Sequence, residues 1–240
     1  MCDINFSNTI SDLSKKKVII AGSEGLIGKV LNKELAKLDV KVVGLSLRLG
    51  HDFSNEKTVK EIMQLYKNYD VLITPFALNP QPNEKSWDLF NLPLSSLEKY
   101  LKINLLALFS VCREFARVCN NNASIINFSS TYGINSPKHF IYKEGFAKHI
   151  GYTITKSGVI GMTKYLATYL APKIRVNVIV PGGIENNQSK DFKENYSKMA
   201  PIGRMMNVKE IIGMVLYLCS DISSYTTGSI LNVDGGWTAW

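Results

Sequence analysis

The chain has 240 residues, of which 45% are hydrophobic and 20% are charged, and its formal net charge is +8. This composition is that of an ordinary globular protein, and the basic residues are too dispersed to indicate a nucleic-acid surface. No apolar run approaches the roughly 20 residues that span a bilayer, and the first residues lack a signal-peptide pattern. The four cysteines have no metal-site spacing, so we expect a cytoplasmic protein with reduced thiols and no metal.

Short apolar runs alternate with longer amphipathic segments along the chain. Strands are predicted at 18–21, 40–47, 71–73, 124–128, 174–180 and 229–233, and helices at 27–38, 54–66, 95–120, 153–170 and 208–218. Strands that are apolar throughout and alternate with helices pair in parallel. The prediction is therefore α/β, a doubly wound parallel sheet of the Rossmann type, in a single domain over residues 1–240.

A glycine-rich turn with the spacing G-x-x-G-x-x-G follows the first strand. Backbone N–H groups at the start of a helix bind the pyrophosphate of a dinucleotide when no side chain blocks them. Glycines also mark plain turns, but the position after the first parallel strand favours binding. The cofactor-binding residues predicted here are Gly22, Ser23, Gly25, Leu26, Ile27 and Gly28.

The end of the second strand bears on which cofactor is bound. An acidic residue there would hold the ribose 2′-hydroxyl of NAD, but the chain has Ser46 and then Arg48. Arg48 favours the 2′-phosphate of NADP and Glu24 opposes it, so NADP is only slightly preferred over NAD. Too few residues separate Ser46 from Asp52 for a crossover and another strand, so an edge strand is expected to be missing. Asp52 is expected to touch the adenine, to cap the next helix, or both.

Tyr152 and Lys156 lie four residues apart, on one face of a predicted helix. A nearby ammonium lowers the pKa of a phenol toward the range in which it exchanges protons with an alkoxide. Tyr169 and Lys173 have the same spacing, but Pro172 interrupts them and we interpret that pair as structural.

The context of the first pair adds weight to it. A buried strand ends in Ser129 and Ser130, and another opens into Pro181-Gly182. Both ends are expected at the carboxyl edge of the sheet, where ligands bind in such folds.

From Val18 to Trp237 these motifs, together with Asn104 and the tail at 228–237, resemble the short-chain dehydrogenase/reductase family. The resemblance implies an NAD(P)-dependent oxidoreductase that acts on CH–OH groups. It makes Tyr152 the general acid/base and Lys156 the residue that lowers its pKa and holds the nicotinamide ribose. Ser130 would hydrogen-bond the substrate oxygen and Asn104 would position a relay water. The structural alternatives are that Ser130 ends a strand and Asn104 breaks a helix, but the four residues together favour the functional roles.

Further expectations follow from the same resemblance. Tyr152 and Lys156 would also contact the cofactor, and its remaining contacts would be Ala77, Pro181, Gly182, Gly183 and Ile184. The chain would be a homo-oligomer, a dimer or tetramer, with Cys112, Phe115, Val118 and the 237–240 tail as candidate interface residues. The tail could equally cover the core of its own chain. The substrate would be a small molecule that is polar or anionic.

The chain departs from the family at Thr74-Pro75-Phe76-Ala77, where Asn-Asn-Ala-Gly is usual. Pro75 lacks an N–H, so the local bonding must differ. This departure motivates a second hypothesis, a catalytically silent nucleotide-binding sensor or scaffold. The intact set of Ser130, Tyr152 and Lys156 argues against it.

The 131–151 segment is longer than in common members and is expected to form a loop over the active site. Its basic residues Lys138, Lys143, Lys148 and His149 would face an anionic substrate or, equally, solvent. With residues 181–188, the segment resembles the family branch that modifies flagellin and surface sugars, which implies phosphorylated or nucleotide-linked sugar substrates. Residues 185–206 are expected to form a lid, with short helices from 188 to 199.

Overall fold

The computed structural model describes residues 13–79 and 88–240, and Cys2 lies outside them. The described residues form a six-stranded, wholly parallel sheet in the order β2-β1-β3-β4-β5-β6. The strands are β1 Lys17–Ala21, β2 Lys41–Leu45, β3 Val71–Thr74, β4 Ala123–Phe128, β5 Ile174–Pro181 and β6 Ile230–Val233. The predicted doubly wound α/β fold is confirmed.

Seven α-helices accompany the sheet in the described ranges. They are α1 Leu26–Ala36, α2 Glu56–Leu65, α3 Leu94–Leu101, α4 Leu108–Val118, α5 Ile150–Leu170, α6 Lys190–Met199 and α7 Ile212–Cys219. A π-helical segment, Lys102–Ala107, joins α3 to α4, so the single helix predicted at 95–120 is continuous but changes its winding. None of the helices in the described residues is both long and apolar enough to cross a bilayer.

The edge of the sheet at β2 has the predicted form. The chain leaves β2, makes one 3-10 turn at Leu47–Leu49 and then enters α2. No strand lies beyond β2 in the part of the chain that is described. Six residues separate the 3-10 turn from α2, which is shorter than any crossover.

The core has two layers because successive strand residues point to opposite faces of the sheet. On β1, Ile19 contributes to the layer beneath α2, α4 and α5, whereas Ile20 contributes to the layer beneath α1 and α7. Cys112 and Phe115 belong to the first layer and are fully buried, so their prediction as interface residues is wrong. Trp237 is also fully buried.

The largest differences from the predicted helix boundaries, of three and four residues, are at the starts of two helices. Helix α5 begins at Ile150 rather than near residue 153 because the His149 imidazole caps it, accepting a hydrogen bond from the Gly151 N–H. The predicted helix at 208–218 begins as a 3-10 turn, Val208–Ile211, before it becomes α7. Both changes occur at helix starts, where local capping decides the boundary.

Candidate active site

A cleft of about 680 Å³ lies along the carboxyl edge of the sheet. One lining residue follows the end of each of the first five strands: Gly22, Ser46, Pro75, Ser129 and Gly182. The predicted site residues that line it are Gly22, Gly25, Leu26, Ile27, Ser46, Arg48, Asp52, Ala77, Ser130, Tyr152, Lys156, Pro181, Gly182, Gly183 and Ile184. The three that do not are Ser23, Gly28 and Asn104. The carboxyl ends of the parallel strands therefore bring most of the predicted set together.

The glycine turn is built by close contacts between main-chain atoms. Gly22 has φ +102°, and a Cβ there would lie 2.8 Å from the Cβ of Phe76. A Cβ on Gly28 would lie 2.1 Å from the carbonyl oxygen of Gly22, so Gly28 acts by letting α1 approach the turn rather than by lining the cleft. Ser23 is buried behind the turn against Gly44.

The start of α1 suits a phosphate-bearing ligand. Its N-cap is Gly25, no side chain accepts from its first N–H groups, and its first turn has no acidic residue. In contrast, α2 and α6 are capped by the side chains of Asn55 and Ser189. Open N–H groups and the positive end of the helix dipole together attract an anion. The residues present therefore fit the pyrophosphate of a dinucleotide.

The end of β2 carries a hydroxyl and a cation but no unpaired carboxylate. The Ser46 hydroxyl is buried with no hydrogen-bond partner, and the Ser46 N–H donates to His51 Nδ1 at 3.3 Å. Arg48 is exposed at the rim of the cleft. Glu24 is drawn toward Lys29, whose Nζ lies 3.5 Å from Glu24 Oε2. His51 is a lining residue that the sequence did not single out.

Asp52 lines the cleft but does not cap α2. Its Oδ1 accepts from the Ser54 N–H at 2.8 Å, and its hydrogen bonds to Ser54 lower the pKa of the carboxyl. The cap of α2 is Asn55, which accepts from the Thr58 N–H. The capping interpretation of Asp52 is therefore wrong, while its contact with the adenine stays a prediction.

The predicted reaction centre is assembled from the end of β4 and the first turns of α5. Burial raises the pKa of Tyr152, and its hydrogen bond with Ser130 acts in the opposite direction. Lys156 Nζ donates to the Phe128 carbonyl at 2.7 Å and lies 5.8 Å from the centroid of the Tyr152 ring. Burial lowers the pKa of Lys156 to about 8. The pKa of Tyr152 is thus raised, opposite to the lowering expected from Lys156, because burial outweighs the hydrogen bond with Ser130.

Asn104 lies in the π-helical segment and is buried beside the cleft. Its Oδ1 accepts from the Leu78 N–H at 2.7 Å, and its Nδ2 donates to the Leu78 carbonyl at 3.1 Å and to Thr155 Oγ1 at 3.1 Å. The side chain therefore ties the loop after β3 to α5. Isolated π-helical turns are frequent at functional sites. The relay role of Asn104 stays a prediction.

The departure at residues 74–77 retains a brace for the central sheet. Thr74 Oγ1 donates to Asn127 Oδ1 at 2.9 Å, and Asn127 Nδ2 donates to Thr163 Oγ1 at 3.0 Å. Phe76 packs against Phe53, with 5.1 Å between the ring centroids, and closes the space behind the glycine turn. A hydroxyl thus links β3 to β4 and α5 at this point.

Aromatic side chains line the other end of the cleft, and the sequence did not reveal them as a set. We call this set the aromatic wall: Tyr132, Tyr142, Phe146, Phe192 and Tyr196. The hydroxyls of Tyr132 and Tyr142 are 2.8 Å apart, and the rings of Tyr142 and Phe192 are 5.0 Å apart. The 131–151 segment and α6 therefore contact each other across the cleft.

Tyr196 connects α6 to the turn after β5, which contains Gly183, and to Trp237 in the tail. Its hydroxyl accepts a hydrogen bond from the Gly183 N–H, and its ring stacks on Trp237 with 4.1 Å between centroids. Gly183 leaves room for this ring, because a Cβ there would lie 2.6 Å from it.

The four basic residues predicted to meet a substrate have different positions. Lys148 lines the cleft. Lys138 lies over the Trp237 ring, Lys143 is exposed outside the cleft, and His149 caps α5 while stacking on Tyr100. Only Lys148 of this set is placed to contact a substrate.

Comparison with known proteins agrees with this geometry. The family model described as enoyl-(acyl carrier protein) reductase matches residues 17–238. The 3-oxoacyl-(acyl-carrier-protein) reductase FabG of Aquifex aeolicus is 33% identical over 227 residues, covering 91% of this chain and 86% of that protein. Post-translational flagellin modification protein A of Campylobacter coli is 31% identical and covers 94% of this chain and 99% of that protein.

Among solved structures, a short-chain dehydrogenase from Leptospira borgpetersenii with bound NAD⁺ superposes with a TM-score of 0.85. It is 31% identical, and the match covers 99% of this chain and 97% of that one. A gluconate 5-dehydrogenase from Burkholderia cenocepacia, in complex with NADP and tartrate, has a TM-score of 0.81 at 20% identity and shares the fold.

Proposed function

The chain belongs to the short-chain dehydrogenase/reductase family and is an NAD(P)-dependent oxidoreductase; we propose that it acts on the carbonyl or alcohol carbon of a phosphorylated or nucleotide-linked sugar. One observation carries the chemical part of the proposal. Ser130, Tyr152 and Lys156 line the same cleft as the glycine turn that fits a dinucleotide. Their shared cleft supports proton transfer next to a bound nicotinamide.

Each of these residues has its own part in the reaction. A bound nicotinamide would supply or accept the hydride at the substrate carbon. In reduction, Tyr152 donates its phenolic proton to the substrate oxygen, and in oxidation it takes that proton back. Ser130 donates a hydrogen bond to the same oxygen, which stabilises the charge that develops there. A protonated Lys156 favours the phenolate form of Tyr152, opposing the effect of burial.

The lid and the relay are parts of the same proposal. Residues 131–151 and 185–206 close over the substrate, and the contact of Tyr142 with Phe192 supports this because it links the two segments. Asn104 would position a relay water at the π-helical turn, and its amide holds the loop after β3 against α5 through Leu78 and Thr155.

For the cofactor we propose NADP in preference to NAD. The cation Arg48 lies at the rim beyond β2, whereas the nearby carboxylates of Glu24 and Asp52 are engaged by Lys29 and Ser54. Titration of NADPH and NADH against the protein, followed by intrinsic fluorescence, tests this preference directly.

The sugar proposal is supported by the flagellin modification protein of Campylobacter coli, which matches along nearly its whole length. The similarity to the FabG reductase of Aquifex aeolicus favours a second substrate class, a 3-oxoacyl thioester. A turnover screen with sugar phosphates, nucleotide sugars and 3-oxoacyl thioesters separates the two classes.

The structure does not support the reason for the second hypothesis, a catalytically silent sensor. It rested on the altered 74–77 segment, but Thr74 braces the sheet through Asn127. Cofactor binding without turnover of any carbonyl or sugar compound would revive it.

We propose that the chain is cytoplasmic and forms a homo-oligomer. Cys112, Cys119 and Cys219 are free thiols, as expected in a reducing compartment. Because Cys112 and Phe115 are buried, we propose the exposed apolar side chains of Leu106 and Phe109 as the contact surface between copies instead. Light scattering of the Leu106→Glu protein, compared with the unaltered chain, tests that surface.

The central experiment compares Tyr152 and Tyr169, each of which lies four residues before a lysine. Tyr152→Phe removes the phenol of the cleft, whereas Tyr169→Phe removes one that is exposed on α5. We expect Tyr152→Phe to lower kcat by a factor of about 100 to 10,000 with cofactor affinity retained, and Tyr169→Phe to leave both unchanged. Undiminished turnover by Tyr152→Phe would overturn the assignment.

A further inference from the structure

The substrate end of the cleft contains a second cation beside the reactive tyrosine. Lys148 Nζ lies 4.5 Å from the centroid of the Tyr152 ring, closer than Lys156 Nζ at 5.8 Å. Lys148 is partly buried and lines the cleft just before α5 begins. Its position is therefore next to the group that handles the substrate oxygen.

Contacts from two directions hold Lys148 in place. The ring face of Tyr152 attracts the ammonium from one side, and Asn79 Oδ1 accepts a hydrogen bond from Nζ on another. An extended lysine loses less side-chain entropy on binding when such contacts already restrict it.

The charges around the cleft are distributed unevenly. The carboxylates among its described lining residues, Glu24 and Asp52, both belong to the end formed by the glycine turn and the segment after β2. The end near Tyr152 has the ammonium groups of Lys148 and Lys156, with aromatic and amide side chains around them. Lys156 donates to the Phe128 carbonyl from inside the protein. Of these two lysines, Lys148 is therefore the one whose ammonium is placed to contact a substrate.

We infer that Lys148 determines substrate specificity by binding an anionic group, a carboxylate or a phosphate, that lies a few bonds from the reacting carbon. This inference rests on the proposed function and narrows it to substrates whose charge is close to the carbonyl. A carboxylate or phosphate oxygen accepts charge-assisted hydrogen bonds from an ammonium, and the aromatic wall, which includes the hydroxyls of Tyr132 and Tyr142, faces the rest of the molecule.

Two matched pairs of small carbonyl compounds test this with the NADPH-loaded enzyme. Acetoacetate and ethyl acetoacetate differ in the charge of a carboxyl group, and dihydroxyacetone phosphate and dihydroxyacetone differ in a phosphate. For Lys148→Met we expect KM for the charged member to rise by about tenfold or more, with KM for the neutral member changed by less than about twofold. The pair that responds identifies the anion.

Two further variants serve as controls. Lys148→Arg keeps the charge and is expected to retain most of the preference for the charged member. Lys143→Met removes an exposed lysine of the same segment and is expected to change nothing. An equal loss of kcat/KM on charged and neutral compounds by Lys148→Met, with a shifted pH profile, would show that Lys148 only positions Tyr152 and would overturn the inference.

Calorimetric binding of acetoacetate and dihydroxyacetone phosphate to the NADP⁺-loaded protein separates this inference from the proposed function. Binding that is lost in Lys148→Met supports the role of Lys148 even where no compound is turned over, and that lack of turnover would count against the proposed reaction. If neither anion binds more tightly than its neutral partner, the inference fails whether or not turnover occurs.

Discussion

The two ends of the cleft are built from different parts of the chain. At the cofactor end, the glycine turn and the Pro181–Ile184 turn shape the cavity with main-chain atoms. At the substrate end, the aromatic wall and Lys148 shape it with side chains from two segments that are far apart in sequence. Main-chain recognition requires glycine at fixed spacing, so it is visible in the sequence. Side-chain recognition of this kind depends on tertiary contacts, so it becomes visible only in the structure.

The sharpest test of the cofactor end is Gly28→Ala. A methyl group there would meet the carbonyl oxygen of Gly22, so α1 must move away from the turn. We expect the free energy of unfolding to fall by about 2 to 3 kcal/mol and NADPH binding to be lost. Urea unfolding and cofactor titration measure the two effects.

Gly161→Ala provides the matched control. Gly161 lies in α5 with open space where its Cβ would be, so the added methyl group should stabilise the helix by about 0.5 to 1 kcal/mol. If Gly28→Ala and Gly161→Ala have the same stability and the same NADPH affinity, the glycine turn tolerates side chains. The two ends of the cleft would then not differ in their use of main-chain recognition.

Lys156 lies where the two ends meet, and its burial lowers its pKa from 10.5 to about 8. At pH 7 a charged, buried Lys156 costs about 3 kcal/mol of stability. Lys156→Met removes that cost but leaves the Phe128 carbonyl unbonded, so we expect a net gain of about 2 kcal/mol in the free energy of unfolding, with turnover lost.

The pH dependence of this difference has a definite sign. Between pH 8 and 10.5 the unfolded chain holds the Lys156 proton and the folded chain does not, so the stability contributed by this residue rises with pH. The advantage of Lys156→Met should therefore shrink across this window and be constant below it. Chemical unfolding of both proteins at several pH values measures it, and an advantage that grows with pH would contradict the assignment.

Arg48→Gln tests side-chain recognition at the cofactor end. We expect NADPH to bind about tenfold more weakly and NADH to be unaffected, since one exposed charge-assisted contact with a phosphate is removed. Lys41→Gln, at the opposite end of β2, is the control and should alter neither affinity. An equal loss for both cofactors would show that Arg48 does not recognise the 2′-phosphate.

The smallest expected effect concerns Tyr196→Phe at the substrate end. The variant keeps the ring stacked on Trp237 but removes the oxygen that accepts from the Gly183 N–H. We expect a loss of about 1 kcal/mol in urea unfolding. Tyr225→Phe alters a fully exposed tyrosine and should have no effect. If the free energy of unfolding of Tyr196→Phe also stays unchanged, α6 is held in place by the packing of the Tyr196 ring and not by its hydroxyl.

The fold was largely predictable because the information that specifies it is local. Apolar runs predicted the strands. The small number of residues between Ser46 and Asp52 predicted, without any spatial information, that an edge strand is missing. The start of α5 was misplaced because histidine is not among the residues that usually cap helices, and here His149 does so.

The candidate site was predictable only in part. Helical spacing gives the direction of a side chain on its own helix but not what covers it, so Cys112 and Phe115 were assigned to the surface although they face the sheet. Four basic residues in the 131–151 segment were equivalent in the sequence. Tertiary folding selects Lys148 among them and uses His149 as a cap.

His149 therefore belongs to two parts of the molecule at once. Its Nδ1 caps α5, its Nε2 lies 3.0 Å from Ser96 Oγ, and Tyr152 follows within the first turn of the same helix. A chimaera that exchanged the 131–149 stretch for a shorter loop would also remove the acceptor that caps the start of α5. Loop grafting at this position should succeed when the donor loop ends in serine, threonine, aspartate or asparagine, so that the transplanted residue caps the helix in place of the histidine.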